Sequence, residues 1–308
     1  MKRWVRWTWS TLGGLALVAV AAGLVGNELA ERKRNRQVRV DLAPPAWAAS
    51  LTAGAAAGAP ALARGEYLFN SRGCTDCHGV SGAGREFIND GKGLRVAGPN
   101  ITSGEGGVVG PYTPQDWERA LRHGIKPDGR PLLIMPSEDY NRLTDQDLAA
   151  LVAYAKSLPP AKGSAAVLDL PLPVRLMYGY GAIKDAAEKI DHSLPPPQPV
   201  AERVNAAHGA YVANMCISCH GPGLSGGKIP GTPLDWASAA NLTPGEGSGL
   251  ARYRDADQFV AMLRSGKRPD GTVITVMPFD SLRELNEVDS RALYAYLQAL
   301  PARPFGQR

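Results

Sequence analysis

The pentapeptides Cys74-Thr75-Asp76-Cys77-His78 and Cys216-Ile217-Ser218-Cys219-His220 use all four cysteines of the chain. Their shared spacing, Cys-x-x-Cys-His, restricts the chain more than any other feature. Residues i and i+3 lie on one face of a helical turn, so two thiols so placed can add to the two vinyl groups of one porphyrin. The next residue then stands over the iron, where imidazole is a good axial ligand. This spacing is the attachment signature of c-type haem. Other uses of the same residues fit less well. A zinc site made from two Cys-x-x-Cys pairs is conceivable, but it requires no histidine after each second cysteine. A thioredoxin-like dithiol needs one pair set in an α/β pattern that is absent here. Four cysteines in 308 residues would be an unusual disulfide framework. The expected cofactors are two covalently bound haem c groups, one on Cys74 and Cys77, the other on Cys216 and Cys219, with His78 and His220 as axial ligands of the iron.

The chain is also duplicated. An offset of 142 residues lays Cys74 on Cys216 and His78 on His220, and carries Leu121-Arg122-His123-Gly124 onto Leu263-Arg264-Ser265-Gly266. It likewise matches Pro127-Asp128-Gly129 with Pro269-Asp270-Gly271, and Leu158-Pro159 with Leu300-Pro301. Of the six methionines only Met135 and Met277 occupy equivalent places, each 57 residues after its histidine and each followed by proline. Thioether sulfur is a common sixth ligand that favours ferrous iron, and proline fixes the backbone beside it. Met135 and Met277 are therefore the expected sixth ligands, against the alternative of packing methionines. Met177, Met215 and Met262 are expected in structural roles, as are His123, His192 and His208, with His123 at the surface or lining the site.

The local patterns fit two helical domains with almost no strand signal. Ala61 to Asn70 reads as the helix that delivers Cys74, and its Gly65 and Tyr67 return as Gly209 and Tyr211. A second helix opens with Thr113-Pro114-Gln115-Asp116, its twin at Asp255 with Gln258. The last helix is capped by Thr144 with Asp147 and by Asn286 with Asp289, and Leu148, Leu151, Val152 and Ala155 give it one apolar stripe.

These residues resemble the class I cytochrome c fold of membrane-associated multihaem cytochromes, including the cytochrome subunits of bacterial periplasmic alcohol and gluconate dehydrogenases. The resemblance covers residues 60 to 160 and 200 to 302. It rests on Cys-x-x-Cys-His, Pro99-Asn100-Ile101-Thr102 with its echo Asn241-Leu242-Thr243, the Pro-Asp-Gly turns and Met-Pro. It implies an all-α fold: two tandem class I cytochrome c domains, each of three to four helices around a covalent haem, after an N-terminal transmembrane helix. Those dehydrogenase subunits typically carry three haems whereas this chain has two motifs, which leaves the partner enzyme open. A ligating imidazole donates its remaining N–H to an acceptor, here expected at the carbonyl of Pro99 and at the same backbone position, Ala240, in the second domain. Asn100, Thr102, Asn241 and Thr243 are read either as propionate partners or as turn caps. Arg122 and Arg264 are expected to be solvated rather than paired with propionates.

The expected organisation is a signal anchor over residues 1–40, a flexible tether over 41–60, cytochrome domains over 61–160 and 201–304, and a proline-rich linker over 161–200. Trp7 to Asn27 is uncharged and long enough to span a bilayer. Ala19-Val20-Ala21 also has the form of a signal cleavage site, but the apolar run continues past it, and Trp4, Trp7 and Trp9 suit a membrane interface. The flank Arg32-Lys33-Arg34-Asn35-Arg36 would by itself stay in the cytoplasm. The resemblance outweighs that rule, because c-type haem is attached outside the bacterial cytoplasmic membrane. A single-pass inner-membrane protein with periplasmic haem domains follows. Residues 1–39 hold eight Lys or Arg against two acids, a surplus of six, so the body beyond carries −1 of the chain's net +5. The basic character belongs to the anchor, which argues for lipid headgroups and against nucleic acid as a partner. Within the linker, Val174 to Ile190 is expected to form a short helix, with Tyr178 and Tyr180 either bridging the domains or packing locally.

Two functions compete. One is an electron-transfer protein, not itself an enzyme, carrying single electrons from a periplasmic dehydrogenase or other donor to a respiratory acceptor. The other is a dihaem enzyme, peroxidase-like or acting on sulfur compounds, which needs an open iron position; two Met-Pro motifs argue that both positions are closed.

Overall fold

The computed structural model describes residues 3–52, 58–233 and 235–308, and the side chains of all of these but residues 3–11, 50 and 52. The basic start Met1-Lys2, the interfacial side chains of Trp4, Trp7 and Trp9, and residues 53–57 of the expected tether lie outside what is described. A helix of 33 residues, α1 (Arg3–Asn35), leads through α2 (Ala48–Thr52) to the first domain. That domain comprises α3 (Gly58–Ser71), α4 (Cys74–His78), α5 (Pro114–His123), α6 (Ser137–Tyr140) and α7 (Asp145–Ser157). After α8 (Leu172–Gly179) and α9 (Ala186–Lys189), the second domain repeats the plan with α10 (Ala206–Ala213), α11 (Ile217–His220), α12 (Ala256–Ser265), α13 (Phe279–Leu282) and α14 (Glu287–Ala299).

Each domain closes where its first helix crosses its last. A Cβ built on Gly65 of α3 would stand 2.1 Å from the Ala150 carbonyl oxygen of α7, and one on Gly209 of α10 would stand 1.9 Å from the Ala292 oxygen of α14. Only a residue without Cβ lets the backbones meet this closely. Around the first crossing Leu68, Phe69, Trp117, Leu121, Leu148 and Val152 form one core; around the second, Val212, Phe259, Leu263, Leu293 and Leu297 do the same. The capping residues stand where the sequence places them. Thr113 and Asp116 form a reciprocal capping box on α5, Thr144 accepts from the Asp147 N–H on α7, and Asp255 and Asn286 cap α12 and α14 through Gln258 and Asp289.

A small sheet is added to this helical plan. Strands β1 (Arg85–Asn89), β2 (Arg95–Gly98) and β3 (Val167–Asp169) pair antiparallel in the order β1-β2-β3. The hairpin turns on the Asp90 carboxylate, which accepts from the backbone of Lys92 and Leu94. Among the described residues the second domain has the bridge Gly227–Ala239 at the corresponding place, where Pro230 and Pro233 deny donors to a longer ladder.

Residues Leu12–Asn35 of α1 are apolar and long enough to cross a membrane. Leu15, Leu17, Val18 and Leu24 are two-thirds or more exposed, an apolar surface of the kind a membrane-spanning helix presents. The far end of α1 is gripped by the segment between the domains. Tyr180 Oη donates to the Ala22 carbonyl at 2.6 Å, and Leu176 and Tyr180 lie where a Cβ on Gly26 would be. Arg36 makes a two-pronged contact with Asp185, at 2.5 and 2.9 Å, Tyr178 Oη donates to the same carboxylate at 2.9 Å, and Lys33 pairs with Glu188 at 2.9 Å. Tyr178 and Tyr180 thus hold α1 rather than bridge the haem domains. Beyond α1, the Val38 N–H donates to the Gly129 carbonyl at 2.9 Å, and Trp47 is buried with its indole donating to Glu118.

The domains meet through a reciprocal interface. Tyr67 Oη donates to Asp289 Oδ2 at 2.6 Å and accepts from Asn286 N; Tyr211 Oη donates to Asp147 Oδ2 at 2.6 Å and accepts from Thr144 N. Each tyrosine of one domain thereby reads the helix cap of the other, as in a twofold-related pair of surfaces. Buried Arg72 adds a contact to Asp289 at 2.6 Å. Burial alone would raise the Asp289 carboxyl, but Arg72, Tyr67 and His208 together hold it down at about 2.

Two predictions follow from these contacts. Gly65→Ala or Gly209→Ala forces a methyl into a carbonyl and lowers stability by about 1–3 kcal/mol in denaturant titration. A carboxyl depressed from its usual 3.8 to about 2 stabilises the fold fully above pH 4 and loses that contribution as pH falls through 2. Acidification from pH 5 to 2 therefore costs about 2 kcal/mol at this site, and Asp289→Asn removes that part of the acid dependence of the urea midpoint.

Candidate haem sites

Each pentapeptide forms a helical turn left through a positive-φ glycine, and the first is also entered through one. Gly73, at φ 85°, precedes α4, and Gly79, at φ 72°, follows it; Gly221, at φ 80°, follows α11. A side chain at these positive φ angles would be strained. The turn sets Cys74 beside Cys77 and Cys216 beside Cys219, and all four thiols are free of disulfides. Burial, the largest influence on each, pushes the Cys74, Cys77 and Cys216 thiols up to about 12. Burial thus favours the protonated thiol at each of these three positions. Strand β2 supports the first turn closely: a Cβ on Gly98 would sit 2.1 Å from the Cys77 carbonyl oxygen. The second turn is met instead by Arg308, which donates to the carbonyls of Cys219 at 2.7 Å and Ser218 at 3.1 Å.

The histidines are oriented as ligand chemistry requires. His78 Nδ1 lies 2.9 Å from the Pro99 carbonyl, and His220 Nδ1 lies 2.8 Å from the Ala240 carbonyl. A carbonyl only accepts, so Nδ1 carries the proton and Nε2 keeps its lone pair. Burial lowers the pKa of both rings, favouring the neutral form. Met135 and Met277 are half-buried against the cores that include Cys74 and Cys216 respectively. Their loops match in detail: Ser137 N donates to the Met135 carbonyl and Phe279 N to the Met277 carbonyl, both at 2.9 Å. Free thiols, neutral imidazoles with Nε2 available and a matched thioether fit covalent haem in both domains.

Other polar residues take different roles. Asn100 donates to the carbonyls of Glu105 at 3.1 Å and Ala161 at 2.8 Å, and its oxygen accepts from Thr102. Asn241 bonds the Arg303 carbonyl and Thr243 in the same manner. Both pairs make the contacts of turn caps, Thr102 N–H donating to Asn100 Oδ1 and Thr243 N–H to Asn241 Oδ1. Arg122, expected in solvent, is buried; it bonds Glu118, the Leu143 carbonyl and Asp145. Arg264 instead pairs with Glu287 at the surface. His123 is buried too, stacked on His192 with ring centroids 5.2 Å apart, and burial with His192 beside it lowers its pKa to about 4. His208 bonds Asp289 at 2.6 Å, Met262 belongs to the core, and Met215 accepts from Arg72 at 3.8 Å.

The chain's likeness to known proteins runs along the same two units. Residues 60–154 and again 202–297 match the family described as cytochrome c oxidase, cbb3-type, subunit III. The chain is 29% identical over 275 residues to the fructose dehydrogenase cytochrome subunit of Gluconobacter japonicus, covering 81% of this chain and 54% of that protein. It is 28% identical over 279 residues to the cytochrome c subunit of the quinone alcohol dehydrogenase of Gluconobacter oxydans, covering 80% and 56%. Thus the chain spans about half the length of these dehydrogenase relatives. A diheme cytochrome c-type protein of Cereibacter sphaeroides is 29% identical over 323 residues, covering 95% of this chain and 98% of its own. With two matched units spanning most of the chain, each built on a haem attachment turn, the protein belongs to the family of the cytochrome c oxidase, cbb3-type, subunit III.

Proposed function

We propose that the protein is a membrane-anchored dihaem cytochrome that receives single electrons from a periplasmic dehydrogenase and passes them to a respiratory acceptor. The observation that carries this reading is the duplication of one complete donor set. Cys74, Cys77, His78 and Met135 hold one haem; Cys216, Cys219, His220 and Met277 hold the other. Bound haem supplies the reversible one-electron couple of iron. The chain's own residues keep that couple in place. Pro99 and Ala240 fix the imidazoles through their carbonyls, and the Met-Pro loops offer sulfur, which favours the ferrous state. A dihaem enzyme would need an open iron position, and a methionine offered in each domain argues that both are closed. The names of the relatives, which include cytochrome subunits of fructose and alcohol dehydrogenases and a diheme cytochrome, support an electron-transfer role beside a dehydrogenase.

The anchor is the apolar helix Leu12–Asn35 in the cytoplasmic membrane, with the haem domains in the periplasm. Lys33 and Arg36 of its basic flank are engaged by Glu188 and Asp185.

Purified protein is expected to hold two haems per chain through acid–organic extraction, and Cys74→Ala with Cys77→Ala is expected to leave one. Met135→Ala and Met277→Ala, made singly, each lower one midpoint potential and leave the other near its original value in a spectroelectrochemical titration. Unchanged potentials in both variants would sink the ligand assignment. Gentle detergent extraction from native membranes checks the partner: a stoichiometric dehydrogenase in the purified material identifies the donor.

A further inference from the structure

The two attachment turns are each held by the other domain. Ser218, inside the second pentapeptide, donates to Asp139 of the first domain through its N–H at 2.8 Å and its hydroxyl at 2.6 Å. Asp76, inside the first pentapeptide, accepts from the Ser281 hydroxyl of the second domain at 2.7 Å, and Thr75 Oγ1 lies 3.4 Å from the same hydroxyl. Asp76 and Ser218 are equivalent under the 142-residue offset, as are Asp139 and Ser281. The two contacts are thus one contact made twice, with the residue types exchanged. At each, one carboxyl meets one serine; the first domain supplies both carboxyls and the second supplies both serines.

This exchange distinguishes the correct pairing from its alternatives. Two copies of the first domain joined in the same geometry would bring Asp76 against Asp139, two buried-edge carboxyls with no donor between them but a shared proton. Two copies of the second would set Ser218 against Ser281 and lose both carboxyl–serine bonds. Asp139 is buried and Ser281 fully so, so a wrong partner leaves unsatisfied polar groups out of water. Specificity of this kind rests on what a mismatch costs. The clamp also has a position in the redox architecture. Asp139 lies on α6 and Ser281 on α13, the short helices that begin immediately after Met135-Pro136 and Met277-Pro278. Each clamp therefore ties the Met loop of one domain to the attachment turn of the other.

We propose that the Asp139–Ser218 and Asp76–Ser281 contacts form a pairing code that seats each domain's attachment turn on the other domain's Met loop, so that the two haems of one chain work as a single coupled pair. The coupling rests on the dihaem reading above; the pairing itself does not. Asp139, Ser218, Asp76 and Ser281 are positioning residues.

The test compares the full-length parent with Asp139→Ser, Ser218→Asp and the double exchange Asp139→Ser with Ser218→Asp. Haem content is measured first. Two haems per chain in the parent keeps the dihaem reading, and fewer overturns that reading alone. Each protein is then cut by limited proteolysis in the segment 161–200 and passed over a sizing column. The parent's halves stay together, the Ser218→Asp halves separate with an affinity weakened roughly tenfold or more by the facing carboxyls, and the double exchange restores association. In the haem-loaded proteins the separation between the two midpoint potentials changes in each single variant and returns in the double. Halves that associate equally in all four proteins overturn the pairing code. Association that follows the code while the potential separation never moves overturns the coupling.

Discussion

Each domain depends on one steric condition, the crossing of its first and last helices at a glycine. Gly65 against Ala150 and Gly209 against Ala292 leave no room for a methyl group, and the large apolar residues on both sides of the crossing fill the space around it. The crossing places the attachment turn, which directly follows the first helix, beside the core reached by the Met loop. It also brings the first turns of the last helices, with Asp147 and Asp289, to the surface that faces the other domain. One close contact thus sets both the haem pocket and the interface.

The interface uses side chains that serve within their own domain as well. Asp289 closes α14 through its backbone, bonds His208 beside it and receives Tyr67 and Arg72 from the other domain. Asp147 bonds Arg64 of its own domain and receives Tyr211 from the other. Buried carboxylates of this kind are tolerated because both oxygens of each meet donors; removing one partner would leave charge in a poorly solvated place. The segment between the domains then locks the assembly to the anchor, through Asp185 and Glu188 on the basic flank of α1 and through Tyr180 on its apolar part. The described contacts make the exit of α1 a docked element, continuous with the first domain through Val38 and Trp47.

Much of this was legible in the residues because it is local or repeated. The attachment turns depend on an i, i+3 spacing, the caps on a side chain three residues from its target, and the second copy of each feature separates signal from coincidence. The carbonyls of Pro99 and Ala240 could be named as the histidine partners because ligated imidazole needs an acceptor and the register between the halves supplied both positions. Arg122 is buried beneath Leu143 and Asp145, and His123 against His192, contacts from distant segments that helical periodicity does not show. The sheet escaped for a related reason, since β3 comes from 69 residues beyond the end of β2.

By itself, then, the order of residues determined two helical domains, their caps, their glycine crossings, the candidate haem sites and an apolar N-terminal helix, all consequences of short-range geometry and internal repetition. Tertiary structure alone decided which faces meet. Tyr67 finds Asp289 across 222 positions and Arg36 finds Asp185 across 149. Contacts at such distances carry no period and no motif; they arise when two separately folded surfaces present complementary donors and acceptors. The exchange of aspartate and serine between equivalent positions became meaningful only once the fold had placed each attachment turn against the opposite domain.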